Sequence, residues 1–192
     1  MQLRKNLLIA ALMTIVTTLL LGIVYPLVVT ALAQVLFRDK ANGQLVERNG
    51  HLIGSTIIAQ KFSLPEYFHP RASAAGDGYD ATNSGGTNLG PTNRKLVEAV
   101  KTAVDAARKE NPAEPVPADL VTTSASGLDP HLSPEAAMFQ VPRVARARGI
   151  SEAVLRQLVS EHVEGRQLGF LGEPRVNVLV LNLALHDRWA RK

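Results

Sequence analysis

The chain has 192 residues, 46% of them hydrophobic, a formal net charge of +4 and no cysteine. The missing cysteine excludes disulfides, thiolate metal sites and a cysteine nucleophile, without fixing a compartment. Arg4 and Lys5 aside, the 19 basic side chains nearly balance the 17 acidic ones, and no Lys/Arg run exists, so no nucleic-acid partner is expected.

From Asn6 to Phe37, a run of 32 residues, there is no charged side chain. A bilayer core takes about 20 apolar residues in helical form. At about 1.5 Å per residue this run reaches about 48 Å. It predicts an anchor segment over residues 1–37 and one domain over residues 38–192. Arg4, Lys5 and the small-x-small triplet Ala31-Leu32-Ala33 imitate a signal peptide. The stretch from Leu7 to Val29 is longer than the usual apolar region of about 7–15 residues, so a retained anchor is expected. Arg38 and Lys40 follow the span and make the flanking positive count nearly even. Asp39 and Glu47 count little in that rule. A short N-terminus carrying Arg4, Lys5 and the α-amine is expected in the cytoplasm, with the domain exported. Ala10, Thr14, Thr18, Gly22, Pro26 and Thr30 recur every four residues along the anchor. Small residues at that spacing let a second helix approach closely. They are also common in membrane helices generally, so both a partner-packing face and ordinary composition fit.

After the anchor, Gln44 to Glu47, Arg48-Asn49-Gly50 and His51 to Ile53 read as a hairpin with an Asn-Gly turn. The β-branched run Thr56 to Ala59 predicts a further strand. His69 to Asn93 is rich in Gly, Ser, Thr and Asn, with Leu89 its only large aliphatic residue. Such a long loop in a compact domain is functional or disordered. A helix is expected over about Thr92 to Lys109, with Leu96, Val100, Val104 and Ala107 as its apolar stripe. Pro112, Pro115 and Pro117 form a stiff link. Leu120-Val121-Thr122 reads as a strand. Ser133-Pro134-Glu135 opens a helix, Pro142 should kink or break it, and Gly149 ends it. Ser151 is expected to cap a helix running to about Glu164 that buries Val154, Leu155, Leu158 and Val159. Arg175 to Leu181 reads as a strand with Val176, Val178 and Val180 on one face, and Asn182 to Trp189 as a short helix. The fold class is therefore α+β: a single N-terminal transmembrane helix followed by one mixed α/β extracytoplasmic domain.

The motif closest to known chemistry is Gly85-Gly86-Thr87-Asn88-Leu89-Gly90-Pro91-Thr92, which nearly matches a phosphate-binding loop. Pro91 replaces the lysine that would reach the phosphates and removes a backbone donor. No apolar strand leads into the loop. Gly85, Gly86, Gly90 and Thr92 are thus weak nucleotide candidates against a glycine-rich turn that opens a helix. None of His51, His69, His131, His162 and His186 has metalloprotease spacing. Asp129 and His131 bring together a carboxylate and an imidazole, although Asp commonly caps a turn in such a place. No G-x-S-x-G elbow occurs. Asp77 and Asp80 flank Gly78 without meeting the calcium-loop pattern. No catalytic residue, metal ligand or bound cofactor is expected.

Longer runs carry a resemblance. They are Tyr25-Pro26, Gly54-Ser55, Gln60-Lys61-Phe62, Tyr67 to Arg71, Ser73-Ala74, Ser84 to Asn93, Ser126 to Pro134, Gln140 to Ala145, Ala147 to Gly149 and Gly172 to Leu179. In that order they resemble the C subunit of the Kdp system, the high-affinity potassium-transporting P-type ATPase of bacteria, nearly end to end. Thr87 stands where Ser is usual, Ala72 where Pro is usual and Ala59 where Gly is usual. The resemblance implies an accessory subunit of the inner membrane, needed for pump assembly. It is described in the family as a catalytic chaperone that raises the ATP affinity of the hydrolysing subunit. ATP and potassium would be handled by the ATP-hydrolysing and channel-like partner subunits. An exported domain cannot touch cytoplasmic ATP, so coupling would run through the membrane helix or shared conformational states. Tyr67, His69, Arg71, Asn88, Asp129 and His131 lie in the most specific runs and are candidates for the partner interface, or for holding the domain's own fold.

Overall fold

The computed structural model describes residues 2–189. Met1, whose amine enters the topology argument, and residues 190–192 of the expected domain lie outside them. Contacts divide the chain into two compact units, Met1–Leu45 and Val46–Lys192.

The first unit is one apolar helix of 35 residues, Gln2–Leu36. It comprises α1 (Gln2–Leu19), a π segment (Leu20–Val24) and α2 (Tyr25–Leu36). Its large apolar side chains, from Leu3 to Leu36, all stand exposed. A helix this long and this apolar, buried against nothing, suits lipid rather than water. Among the described residues it is the single helix that passes as a membrane span.

The π segment has a local cause and a geometric effect. Pro26 brings no N–H and its ring crowds the preceding turn. Just before it, the Tyr25 amide donates to the Leu20 carbonyl, five residues back. In a pure α-helix, residues four apart drift about 40° round the axis per step. The wider π turn takes up an extra residue and turns that drift back. Gly22 thus stays beside Thr18, whose methyl lies 3.9 Å from where a Gly22 Cβ would sit. After α2 comes a single turn, α3 (Arg38–Ala41), tied back when Gln34 Nε2 donates to Asn42 Oδ1 at 3.2 Å.

The second unit opens with the expected hairpin, β1 (Leu45–Arg48) and β2 (His51–Ser55). Asn49 (φ 51°) and Gly50 (φ 74°) supply the two left-handed residues of a tight primed turn. The strand expected over Thr56 to Ala59 does not form. The Ser55 hydroxyl accepts from the Ile57 amide at 3.3 Å and bends the chain there. Residues 56–93 then contain no helix or strand. The next helix, α4 (Arg94–Glu110), starts two residues later than Thr92, because Asn93 Oδ1 accepts from the Lys95 amide at 2.9 Å. Its stripe of Leu96, Val100, Val104 and Ala107 is half-buried as the period requires.

Leu120-Val121 is helical rather than extended, in the single turn α5 (Ala118–Val121). That turn presents Asp119 to the start of the next helix, where its carboxylate accepts from the Ser133 amide at 2.8 Å. This next helix is α6 (Pro134–Arg148), with Ser133 Oγ accepting from the Ala136 amide at 3.1 Å and Gly149 left-handed at φ 69° past its end. Pro142 does not break it. An interior proline costs about 3 kcal/mol, but fully buried Ala136, Ala137, Val141 and Val144 hold both halves of the helix on the core. Helix α7 (Glu152–Glu161) ends before Glu164, and Ser151 makes no side-chain cap bond. Leu155, Leu158 and Val159 are buried, whereas Val154 faces outward.

A small antiparallel sheet completes the unit, from β3 (His131–Leu132), β4 (Val163–Glu164) and β5 (Arg175–Asn177) in the order β3-β5-β4. His131 pairs with Asn177, and Val163 with Val176. The strand expected to reach Leu181 stops at Asn177, whose side chain accepts from the Val180 amide at 3.2 Å and caps α8 (Val178–Arg188). Val178 and Leu181 enter the core and Val180 turns out. The core joins Phe68, Leu132 and Val176 to one face each of α6, α7 and α8.

Candidate functional site

The runs that stand out in the sequence occupy residues 67–71, 84–93 and 126–134. The first leaves a turn closed by the Tyr67 amide on the Leu64 carbonyl at 3.1 Å and has no strand beside it, so its backbone groups need other partners. Phe68 is fully buried. Its amide donates to Asn182 Oδ1 at 2.8 Å, and its carbonyl accepts from Asn182 Nδ2 at 2.9 Å. Gln140 does the same for His69, at 2.8 Å to the amide and 3.0 Å to the carbonyl. Each side-chain amide, one from α8 and one from α6, imitates a neighbouring strand. Arg143 Nη1 donates to the carbonyls of Pro65 and Tyr67 at 2.7 and 2.9 Å, and its Nε pairs with Glu110 at 2.8 Å. Arg148 Nε donates to Glu66 O at 2.7 Å while its guanidinium lies 4.9 Å over the Tyr67 ring.

Candidate interface residues in this run therefore have work inside the fold. The Tyr67 hydroxyl meets His186 Nδ1 at 3.4 Å, and His69 Nε2 meets the Leu64 carbonyl at 3.0 Å. Burial, followed by the nearby Arg143 charge, holds the His69 imidazole below its ordinary pKa.

Arg71, Asp129 and His131 are brought together. Arg71 Nη1 donates to Asp129 Oδ2 at 3.3 Å, and Nη2 to Thr122 Oγ1 and the Thr123 carbonyl at 3.3 and 3.4 Å. Asp129 Oδ1 accepts from the His131 amide at 3.0 Å, the turn-capping geometry, with His131 Nδ1 at 3.5 Å. Burial alone would push the Asp129 carboxyl up. Hydrogen bonds from His131 and the charges of His131 and Arg71 outweigh it and hold the group below its ordinary value. These residues line an open cleft of about 460 Å³ with Asp119, Ser133 and Arg175. The Ser133 hydroxyl donates to Asp119 at 3.1 Å and caps α6. Among the described residues, its hydrogen-bond partners are Asp119 and the Ala136 amide rather than an imidazole. Among the described residues no three His, Asp or Glu side chains gather to hold a metal.

The glycine loop packs backbone to backbone on the third run. The Gly85 amide donates to Ser126 O at 2.9 Å and Ser84 Oγ to the same oxygen at 3.0 Å. A Cβ on Gly86 would lie 2.7 Å from the Ala125 carbonyl oxygen. Gly127, at φ +68°, would meet Ala75 and the Gly85 carbonyl at the same distance. Ser73 Oγ donates to Gly127 O at 2.6 Å and accepts from the amides of Ala75 and Tyr79. The Tyr79 hydroxyl donates to Arg71 O at 2.8 Å. Asn88 is left-handed at φ 52° and exposed. No strand leads into the loop, and the Asn93 side chain occupies the first turn of α4. Asp80 is spent on Thr82, accepting from its amide at 2.9 Å and its hydroxyl at 2.7 Å.

Sequence reasoning missed Gln140, Asn182, Arg143 and Arg148. One signal was present: Gln140 between Phe139 and Val141, and Asn182 between Leu181 and Leu183, are amides set inside apolar runs. Buried amides need partners, and extended backbone is the partner that fits both ends of one.

The glycine contacts make a prediction. Gly127→Ala should destabilise the chain by about 2 kcal/mol or more, from a left-handed Cβ and overpacking. Gly90→Ala, with open space at its Cβ, should change stability by no more than about 0.5 kcal/mol. Thermal unfolding of the full-length variants in detergent compares the two. Equal effects would mean that the loop does not pack on residues 124–128.

A family model described as K+-transporting ATPase, c chain, matches residues 7–187. A protein of Koribacter versatilis named Potassium-transporting ATPase KdpC subunit is 66% identical over 182 residues, covering 95% of this chain and 94% of its own length. Proteins of the same name from Rhodopseudomonas palustris and Rhodospirillum rubrum are 56% and 58% identical, covering 92% and 90% of this chain and 94% and 90% of their own lengths. The match takes in the apolar helix, the side-chain clamp and the interlocked loops together, and the chain belongs to the KdpC family of potassium-transporting ATPase subunits.

Proposed function

We propose that the chain is a non-catalytic accessory subunit of an ATP-driven potassium importer. One helix anchors it, with the N-terminus in the cytoplasm and residues 38–192 on the periplasmic or extracellular side. The observation that carries this reading is how the polar motifs are used. Arg71, Asp129, Ser133 and the glycine-loop amide of Gly85 bind other parts of the same domain. That leaves ATP and potassium to the ATP-hydrolysing and channel-like subunits. Any effect on ATP affinity then acts at a distance, as a preference for one conformational state of the complex.

The orientation rests on Arg4 and Lys5 before the span, set against Arg38 and Lys40 beyond it. The other reading, an anchored nucleotide-binding regulator using Gly85, Gly86, Gly90 and Thr92, needs the same loop in the cytoplasm. Because the chain has no cysteine, a Thr87→Cys variant gives a clean probe. In intact cells an impermeant thiol reagent should label it from outside. Labelling only after lysis would reverse the orientation and favour the nucleotide reading.

The stripe of Ala10, Thr14, Thr18, Gly22 and Pro26 supports docking of the anchor on partner helices, since small residues allow close packing in lipid. Thr18→Leu combined with Gly22→Leu should release the chain from the detergent-solubilised complex. Unchanged co-purification would remove the stripe from the interface.

A further inference from the structure

The arms of the β4–β5 hairpin run on past the sheet to a tip over residues 165–172. Gln167 and Leu171 exchange both backbone hydrogen bonds, at 2.9 Å each, and close a three-residue loop. Leu168 and Gly169 in that loop have φ of 54° and 82°. Behind it, two ion pairs join the arms, Arg166 to Glu173 at 2.6 Å and Arg175 to Glu164 at 3.0 Å. The tip is thus a closed, preformed structure.

What it carries is apolar. Leu168 is 83% exposed, Phe170 69% and Leu171 48%. Neither Leu168 nor Phe170 joins the core of the domain. Leu168 also sits in a left-handed conformation that crowds an L-residue's Cβ, while a glycine would adopt it freely. The side chain therefore serves neither the local turn nor the core.

We propose that this tip inserts into an uncharged apolar cleft on a neighbouring protein subunit of the potassium pump, as a docking finger for the second unit of the chain. The proposal rests on the accessory-subunit reading and names a contact surface for it. Charge selects the occupant. Both guanidiniums at the base are paired with carboxylates of the same hairpin, so the finger has no net charge to draw it to anionic lipid. It lacks the Lys/Arg excess that marks surfaces lying in a membrane interface. Pairing with a second copy by strand addition is disfavoured, since β4 is only Val163–Glu164 and the tip closes on itself at Gln167–Leu171. A preformed loop with large apolar side chains loses little freedom on docking, which is how a few residues come to dominate an interface.

The test uses the full-length chain co-expressed with the other pump subunits and purified in mild detergent. Leu168→Ser with Phe170→Ser should speed loss of the chain from the complex at least tenfold, with its own unfolding midpoint unchanged. Leu168→Gly relieves the left-handed strain, so it should raise that midpoint and still weaken retention. Retention equal to wild type in both variants would overturn the proposal. It would also fall if the variants stay in the complex but lose binding to liposomes containing anionic lipid, or if they abolish a dimer of the purified chain without affecting the complex. Failure of the wild-type chain to co-purify would overturn the accessory-subunit reading as well.

Discussion

Phe68 and His69 follow the turn from Leu64 to Tyr67 with no strand on either side, and side chains supply the missing hydrogen bonds. Asn182 and Gln140 each hold one residue by both its amide and its carbonyl. Arg143 and Arg148 take the carbonyls before them. A buried backbone group without a partner costs about 1–3 kcal/mol, so this arrangement is what allows Phe68 to stand at the centre of the core. It also fixes α6 and α8 against one shared strip of chain. The Arg71 end of that strip reaches the Asp129 turn, and through Asp119 and Ser133 the start of α6 is set. The motif-bearing runs are members of one network, with the clamp at its root.

That network bears on function. A loop spelled nearly like a phosphate cradle lies flat against Ala125 and Ser126, and a carboxylate–imidazole pair closes a turn. Both depend on short-range geometry that glycine or aspartate provides. The hairpin tip and the exposed helix Gln2–Leu36 are among the places where apolar side chains remain to be covered.

Much of this was legible in the sequence, for reasons that can be named. The 32-residue uncharged run fixes the long helix by length alone. Asn49-Gly50 and Ser133-Pro134 are local devices whose chemistry acts within four residues, and both behave as read. The misreadings have other causes. Arg175 to Leu181 alternates like a strand, yet Asn177 caps a helix there, three residues before Val180. Leu120-Val121 has strand composition, but turning as a helix lets Asp119 accept from the Ser133 amide at the start of α6. Pro142 is expected to kink or break α6, yet the helix continues through it on a buried face. In these last two cases contacts distant in sequence decided the outcome. The site was legible only as a set of unusual runs. Their contacts through Gln140 and Asn182 span 71 and 114 residues, beyond any local pattern.

The clamp is most directly tested by amide hydrogen exchange in the full-length chain. If the side chains of Asn182 and Gln140 hold Phe68 and His69 on the core, the amides of both open only with global unfolding. They should then exchange as slowly as the amide of Val144, inside α6. Exchange of Phe68 and His69 as fast as the exposed loop amide of Thr87 would contradict the account.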